Sequence, residues 1–117
     1  MLDSWFGSSR AEGAPTIERS AEEQARVDEQ TRRLALYHYD TCWFCGRVRA
    51  TIQRLGLTIE LRNIHQDPQH FKDLTTRGGS STVPCLAIDN DAGEIEWMYE
   101  SADICRYLEE RFGADSP

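Results

Sequence analysis

Asp40-Thr41-Cys42-Trp43-Phe44-Cys45 joins a run of strand-forming residues, Leu34 to Tyr39, to the start of an amphipathic helix. Two cysteines two residues apart at such a junction are placed for disulfide chemistry. A helix start leaves its first backbone N–H groups unpaired and carries about half a positive charge, which favours a thiolate, the reactive form of cysteine.

Outward from this junction the chain alternates two periodicities. Leu34 to Tyr39 is apolar on both alternating faces, as expected of a central strand covered on both sides. His38 within it reads as a packed, hydrogen-bonded residue. Residues 43 to 55 carry a helical stripe of Val48, Ile52 and Leu55, and Gly56 ends it. Leu57 to Ile64 then alternates Leu57, Ile59 and Leu61 against Thr58, Glu60 and Arg62, predicting a half-covered strand. Strand, helix and strand within about 30 residues form a βαβ unit whose right-handed crossover makes the two strands parallel.

Asp67-Pro68 starts a short helix through about Thr76, because Asp caps and Pro is tolerated at the first helical position, and Gly78-Gly79 ends it. Val83 to Ile88 is a strand, Asn90 to Gly93 a hairpin turn, and Glu94 to Tyr99 its antiparallel return. Ser101 caps a last helix with Ile104, Tyr107 and Leu108 on its inner face, closed by Gly113. From residue 34 the order is βαβαββα.

Ahead of this unit, Thr16 to Arg33 is rich in helix formers. Thr16 or Ser20 would be the N-cap, with Glu23 as the capping-box partner of Ser20. Ile17, Ala21, Ala25 and Val27 make only a thin apolar stripe, so weak packing is expected, and the dense Glu and Arg read as a solvated face. Residues 1–15 are Gly-, Ser- and Ala-rich and end at Pro15, the pattern of a flexible tail. The divisions are therefore 1–15, 16–33 and 34–117.

The sequence of 117 residues suits one domain with a modest core. A formal net charge of −7 argues against nonspecific binding to nucleic acid. No run approaches the roughly 20 apolar residues of a membrane span. The opening residues have no basic start followed by an apolar run, so a cytoplasmic, reducing location is the expectation. There, four cysteines suggest redox or metal chemistry before structural disulfides.

The Cys42–Cys45 pair has three readings. An inert core pair belongs mid-element, and a zinc site needs two further ligands at suitable spacing, so redox chemistry is favoured. Cys42 at the helix terminus is then the nucleophile and Cys45, one turn inward, the resolving thiol. Val83-Pro84 opens an internal strand, where a cis peptide would leave the Val83 backbone free for an extended ligand and a trans proline would simply mark a turn. Glu100-Ser101 is a helix start with an acidic neighbour, and such N–H groups with a hydroxyl and a carboxylate can hold a zwitterionic amino-acid group. Cys85 and Cys105 read as small core residues.

Together, Cys-x-x-Cys after the first strand, Val-Pro opening the third and Glu-Ser opening the last helix resemble the glutaredoxin branch of the thioredoxin superfamily. The chain is similar also to the thioredoxin-like N-terminal domain of glutathione transferases. The resemblance covers about residues 34 to 112. It implies an α/β fold with a four-stranded mixed sheet of order 2-1-3-4 flanked by helices. It also implies a glutathione site in which Cys42 meets the glutathione sulfur, Val83 pairs with the cysteinyl part and cis-Pro84 shapes the pocket. Glu100 and Ser101 would hold the γ-glutamyl end and Arg77 would reach the glycine carboxylate. Tyr39, Trp43 and Phe44, which flank the cysteines, would also line the glutathione site, where a dithiol glutaredoxin has Lys in place of Tyr39 and Pro-Tyr in place of Trp43-Phe44.

The implied activity is glutathione-dependent reduction of glutathione mixed disulfides or protein disulfides by a monomer. Some glutaredoxins lacking that proline hold a [2Fe-2S] cluster between two subunits through the nucleophilic cysteine and glutathione. A dimeric cluster carrier with Cys42 as ligand is therefore the alternative, and a glutathione-binding module with little turnover is a third. The all-helical domain of transferases does not follow Pro117, so a complete transferase is not expected.

Overall fold

The computed structural model describes residues 17–90 and 92–113. The expectation for residues 1–15 lies outside them. Leu34–His38 forms strand β1 with all five residues buried, the double-sided coverage its composition demands. Around it the chain builds α1 (Ala21–Thr31), α2 (Trp43–Arg54), β2 (Glu60–Asn63), α3 (Pro68–Asp73), β3 (Cys85–Asp89), β4 (Ile95–Met98) and α4 (Ser101–Phe112).

The strands lie in the order β2-β1-β3-β4, the mixed sheet that the resemblance implies. β1 pairs parallel with β2 through Ala35↔Glu60 to His38↔Asn63. It pairs antiparallel with β3 through Leu34↔Ile88 to Tyr37↔Cys85, and β3 pairs antiparallel with β4 from Leu86↔Met98 to Asp89↔Ile95. One face carries the main core, where Leu34, Leu36, Leu86 and Ile88 meet Val48, Ile52 and Leu55 of α2 and Ile104, Leu108 and Phe112 of α4. Each such aliphatic side chain contributes about 1.5–3 kcal/mol on full burial. Tyr37, Cys85 and Ala87 face the other way and pack with Leu74 and Ile64.

Several boundaries differ from the sequence reading. β2 is shorter than 57–64, and Leu61, expected inward with Leu57 and Ile59, is 47% exposed. β2 is an edge strand, and Leu61 is left at the lip of a groove against Arg49, Ile52 and Gln53. α3 passes at Leu74 into a π-helical turn reaching Gly78, and Gly79 at φ 84° ends it in the left-handed region. Gly78 itself is a packing position. A Cβ there would lie 2.9 Å from the Trp97 ring, and the bare glycine lets the Tyr99 hydroxyl donate to its carbonyl at 2.6 Å. At the last helix, Glu100 and not Ser101 is the N-cap, without a side-chain capping bond, and Ser101 is the buried first helical residue.

α1 starts at Ala21, four residues after the first described residue, with the Ser20 side chain accepting from the Glu23 N–H. Its attachment is polar where the thin stripe predicted weak packing. Arg19 donates from Nη1 to the Leu55 carbonyl at 2.7 Å and from Nη2 to the Phe112 carbonyl at 2.6 Å. These are the C-terminal carbonyls of α2 and α4, where unpaired acceptors and the negative dipole end favour a cation. Gln24 Nε2 adds a bond to the Gly56 carbonyl at 3.0 Å. Among the described residues no helix is long and apolar enough to cross a membrane.

Two outcomes follow. Arg19→Met removes two charge-assisted hydrogen bonds at helix ends and should lower unfolding free energy by about 2 kcal/mol in a denaturant titration. His38 is buried and its pKa lies below the ordinary 6.5, chiefly because burial disfavours the imidazolium, with the Arg49 charge adding and Asp40 opposing. A base whose pKa is lower folded than unfolded gives stability present above the unfolded value and lost below it. Unfolding free energy should therefore fall as pH drops below about 6.5, and the fall should be smaller in His38→Gln.

Candidate functional site

β1 ends at His38, and Tyr39, Asp40 and Thr41 carry the chain to Cys42, the N-cap of α2. Cys42 has extended backbone geometry, and its half-buried sulfur accepts the Cys45 N–H at 3.1 Å. Its carbonyl takes the Gly46 N–H at 3.0 Å and its own N–H donates to the Tyr39 carbonyl at 3.3 Å. The sulfur thus occupies the place of an N-cap oxygen, aimed at the first turn of a helix.

Cys45 is one turn further and fully buried. Burial pushes its thiol up to about 12, with the Cys42 sulfur as hydrogen-bond partner adding to the rise, so it keeps its proton at neutral pH. The resolving role expected of Cys45 needs a thiolate that this environment disfavours. Cys85 is likewise buried behind Pro84 and pushed up to about 12 by desolvation, and it belongs to the smaller core. Cys105, half-buried, packs against the main core and accepts from the Thr51 hydroxyl at 3.3 Å.

Trp43 and Phe44, on the first turn of α2, are 69% and 53% exposed and meet edge to face at 5.0 Å, with the Arg47 guanidinium over the Trp43 ring. Tyr39 is half-buried, its ring stacked on His65 at 4.2 Å. Val83-Pro84 is a cis peptide just ahead of β3. The pairing Tyr37↔Cys85 continues toward Tyr39, so Val83 and Pro84 lie beside the chain leading to Cys42. Because β4 reverses from β3, Glu100 and Ser101 emerge at this same end of the sheet. Strand polarity therefore brings together Cys42, Val83-Pro84 and Glu100-Ser101.

Arg77 is not brought to them. It lines a hollow with Arg33, Leu34, Asp89 and Ile95 at the opposite end of the strands, because α3 and its π turn carry the chain back along the sheet before it returns to Pro84. Two residues of the site were missed in the sequence reading. Arg49 donates to His38 Nδ1 at 3.0 Å and to the carbonyls of Tyr39 at 3.2 Å and Asp40 at 3.1 Å. Asn63, buried at the end of β2, donates to Asp40 Oδ1 at 3.2 Å. The only signal for Arg49 was its spacing, four residues after Cys45 and so on the same helix face. Asn63 had none.

A [2Fe-2S] cluster shared between two subunits would draw on Cys42 and glutathione, with Cys45 buried behind. Among the described residues of one chain no group of three His, Cys, Asp or Glu gathers to hold a metal.

The sequence matches the profile of the glutathione S-transferase N-terminal domain over residues 36–116. No curated protein matches it. Among solved structures it is similar to maleylacetoacetate isomerase from Anaeromyxobacter dehalogenans 2CP-1, with dicarboxyethyl glutathione and citrate bound in the active site. Identity there is 29% and the TM-score 0.54, over 71% of this chain and 38% of that one. A glutathione transferase homolog from Drosophila mojavensis with bound glutathione gives 24% identity and a TM-score of 0.57, over 71% of this chain and 36% of that one. An epsilon-class glutathione S-transferase from the housefly, Musca domestica, gives 23% and 0.55, over 70% and 36%. The chain spans less than two fifths of the length of these structures. With well over half of its residues inside the family profile and the sheet order to match, the chain belongs to the glutathione S-transferase N-terminal domain family, of thioredoxin-like fold.

Proposed function

We propose that this domain binds glutathione where Cys42, Val83-Pro84 and Glu100-Ser101 converge, and that Cys42 carries out thiol–disulfide exchange with glutathione as co-substrate. The observation that carries the reading is the pair of unequal thiols, an accessible Cys42 sulfur at a helix N-cap receiving the Cys45 N–H and a Cys45 sulfur buried beneath it. The glutathione derivative in the active site of the isomerase that is 29% identical supports the ligand.

In this reading the Cys42 thiolate attacks the glutathionyl sulfur of a mixed disulfide. The S–S bond to the substrate breaks, and the substrate leaves as a thiolate that takes up a proton. Cys42 is then disulfide-bonded to glutathione. A second glutathione thiolate attacks the glutathionyl sulfur, giving glutathione disulfide and regenerating Cys42. The net change is that the mixed disulfide and one free glutathione become the substrate thiol and glutathione disulfide, and Cys45 remains a protonated thiol throughout. Free N–H groups at the start of α4, beside the Glu100 carboxylate, suit the γ-glutamyl ammonium and carboxylate.

A second reading, favoured by the match to a glutathione S-transferase domain, makes the bound glutathione thiol the reacting group, with Cys42 only positioning it. The two separate in one comparison. Cys42→Ser should lose reduction of a glutathionylated peptide to the uncatalysed background while still binding immobilised glutathione, and Cys45→Ser should keep most of the rate. Wild-type exchange in Cys42→Ser would sink the proposal. Retained conjugation of glutathione to a chloronitrobenzene in that variant would favour the second reading.

A lesser expectation concerns Arg77. Arg77→Ala should leave glutathione affinity unchanged by calorimetry, because its hollow lies at the other end of the sheet.

A further inference from the structure

We propose that Arg49 is a positioning residue for the cysteine site, gripping the loop that delivers Cys42 to the start of α2. This rests on the reading of Cys42 as the attacking sulfur. The loop is short and mostly exposed, with Asp40 and Thr41 both at the surface. Such a segment does not by itself hold a sulfur to the tolerance that reaction demands.

The guanidinium meets three consecutive residues of the chain. Nη1 reaches His38 Nδ1 at 3.0 Å and the Tyr39 carbonyl at 3.2 Å, and Nη2 reaches the Asp40 carbonyl at 3.1 Å. Since Arg can only donate, the Nδ1 of His38 is the acceptor, which is the state a buried neutral imidazole provides. The Tyr39 carbonyl also accepts the Cys42 N–H at 3.3 Å. One carbonyl is therefore shared by the nucleophile's backbone and by Arg49. From the other side, Asn63 Nδ2 holds Asp40 Oδ1 at 3.2 Å. Asn63 is itself fixed by accepting the N–H groups of His65 at 2.8 Å and Gln66 at 3.2 Å.

The sequence has Tyr39 where the resemblance leads one to expect a lysine ahead of the first cysteine. A cation is nevertheless present at this loop, supplied from the second turn of α2. Its contacts are to carbonyls and a ring nitrogen, so its role follows from the planar fork of the guanidinium, which spans several acceptors at fixed angles. A lysine ammonium keeps the charge and lacks that geometry. Arg49 also lies outside the buried apolar core formed by Val48 and Ile52 of the same helix, so its removal opens no core cavity.

The test uses the full chain as wild type, Arg49→Met and Arg49→Lys. Iodoacetamide labelling at neutral pH is followed on the Cys42 peptide by mass spectrometry, and exchange with a glutathionylated peptide is followed at varied glutathione. Both variants are expected to label Cys42 more slowly and to lose kcat by on the order of tenfold to a hundredfold, with KM for glutathione unchanged. Labelling needs no glutathione, so it tests the role of Arg49 even if the exchange activity proves absent in the wild type. Wild-type labelling in Arg49→Met overturns the proposal. So does a wild-type rate in Arg49→Lys, which would assign the effect to charge, and so does a raised KM with kcat intact. Because Arg49→Lys keeps the charge and the aliphatic stem on α2, it remains informative if Arg49→Met fails to fold.

Discussion

Burial of β1 on both faces is the constraint on which the remaining structure depends. Leu34 and Leu36 face one layer and Tyr37 the other, so helices must cover the sheet on both sides. A strand so placed must pair on both edges, with β2 on one and β3 on the other. Its C-terminal end then lies among the ends of three neighbouring segments. Cys42, the cis Val83-Pro84 peptide and the start of α4 converge there as a consequence of strand direction. None of the three needs a special contact with the others to be in place.

The two cysteines of one short motif occupy different environments because they sit one helical turn apart at a helix terminus. Cys42 is still outside the helix and replaces an N-cap oxygen, whereas Cys45 faces inward toward the core. Desolvation penalises the charged form of the inner thiol, and its backbone N–H is turned to the outer sulfur. In the proposed reaction the motif supplies one attacking thiol and one supporting residue, and the cycle is completed by an external thiol and not by Cys45.

Residues 17–33, ahead of β1, lie entirely outside the matched family profile yet are tied to the domain's frame. Arg19 bridges the C-terminal carbonyls of α2 and α4, the two helices that cover the main core. A cation at two negative helix ends compensates for the small apolar area that α1 can offer. Arg49 uses the same side chain differently, spanning acceptors at the other end of α2. The ends of that helix are thus each governed by a guanidinium, one at the frame and one at the site.

Hydrophobic periodicity and turn chemistry determined the element order, the parallel pairing of the first two strands, the antiparallel hairpin and the place of Cys42 at a helix start. These are properties of local sequence and strand direction, and residues such as Leu36, Val48 and Gly79 carry them visibly. The sheet order and the cis form of Pro84 came instead from the resemblance that the motifs carry. Tertiary structure alone decided which side chains cross between elements. Leu61 follows the inward alternation but lies exposed on an edge strand, and Arg77 precedes the glycines yet sits at the far end of the sheet. Ser101 has the composition of a cap and is the first helical residue instead. Arg19, Arg49 and Asn63 look like ordinary polar positions in the sequence. Their roles depend on long or buried polar side chains meeting carbonyls many residues away, and local periodicity carries no information about such distances.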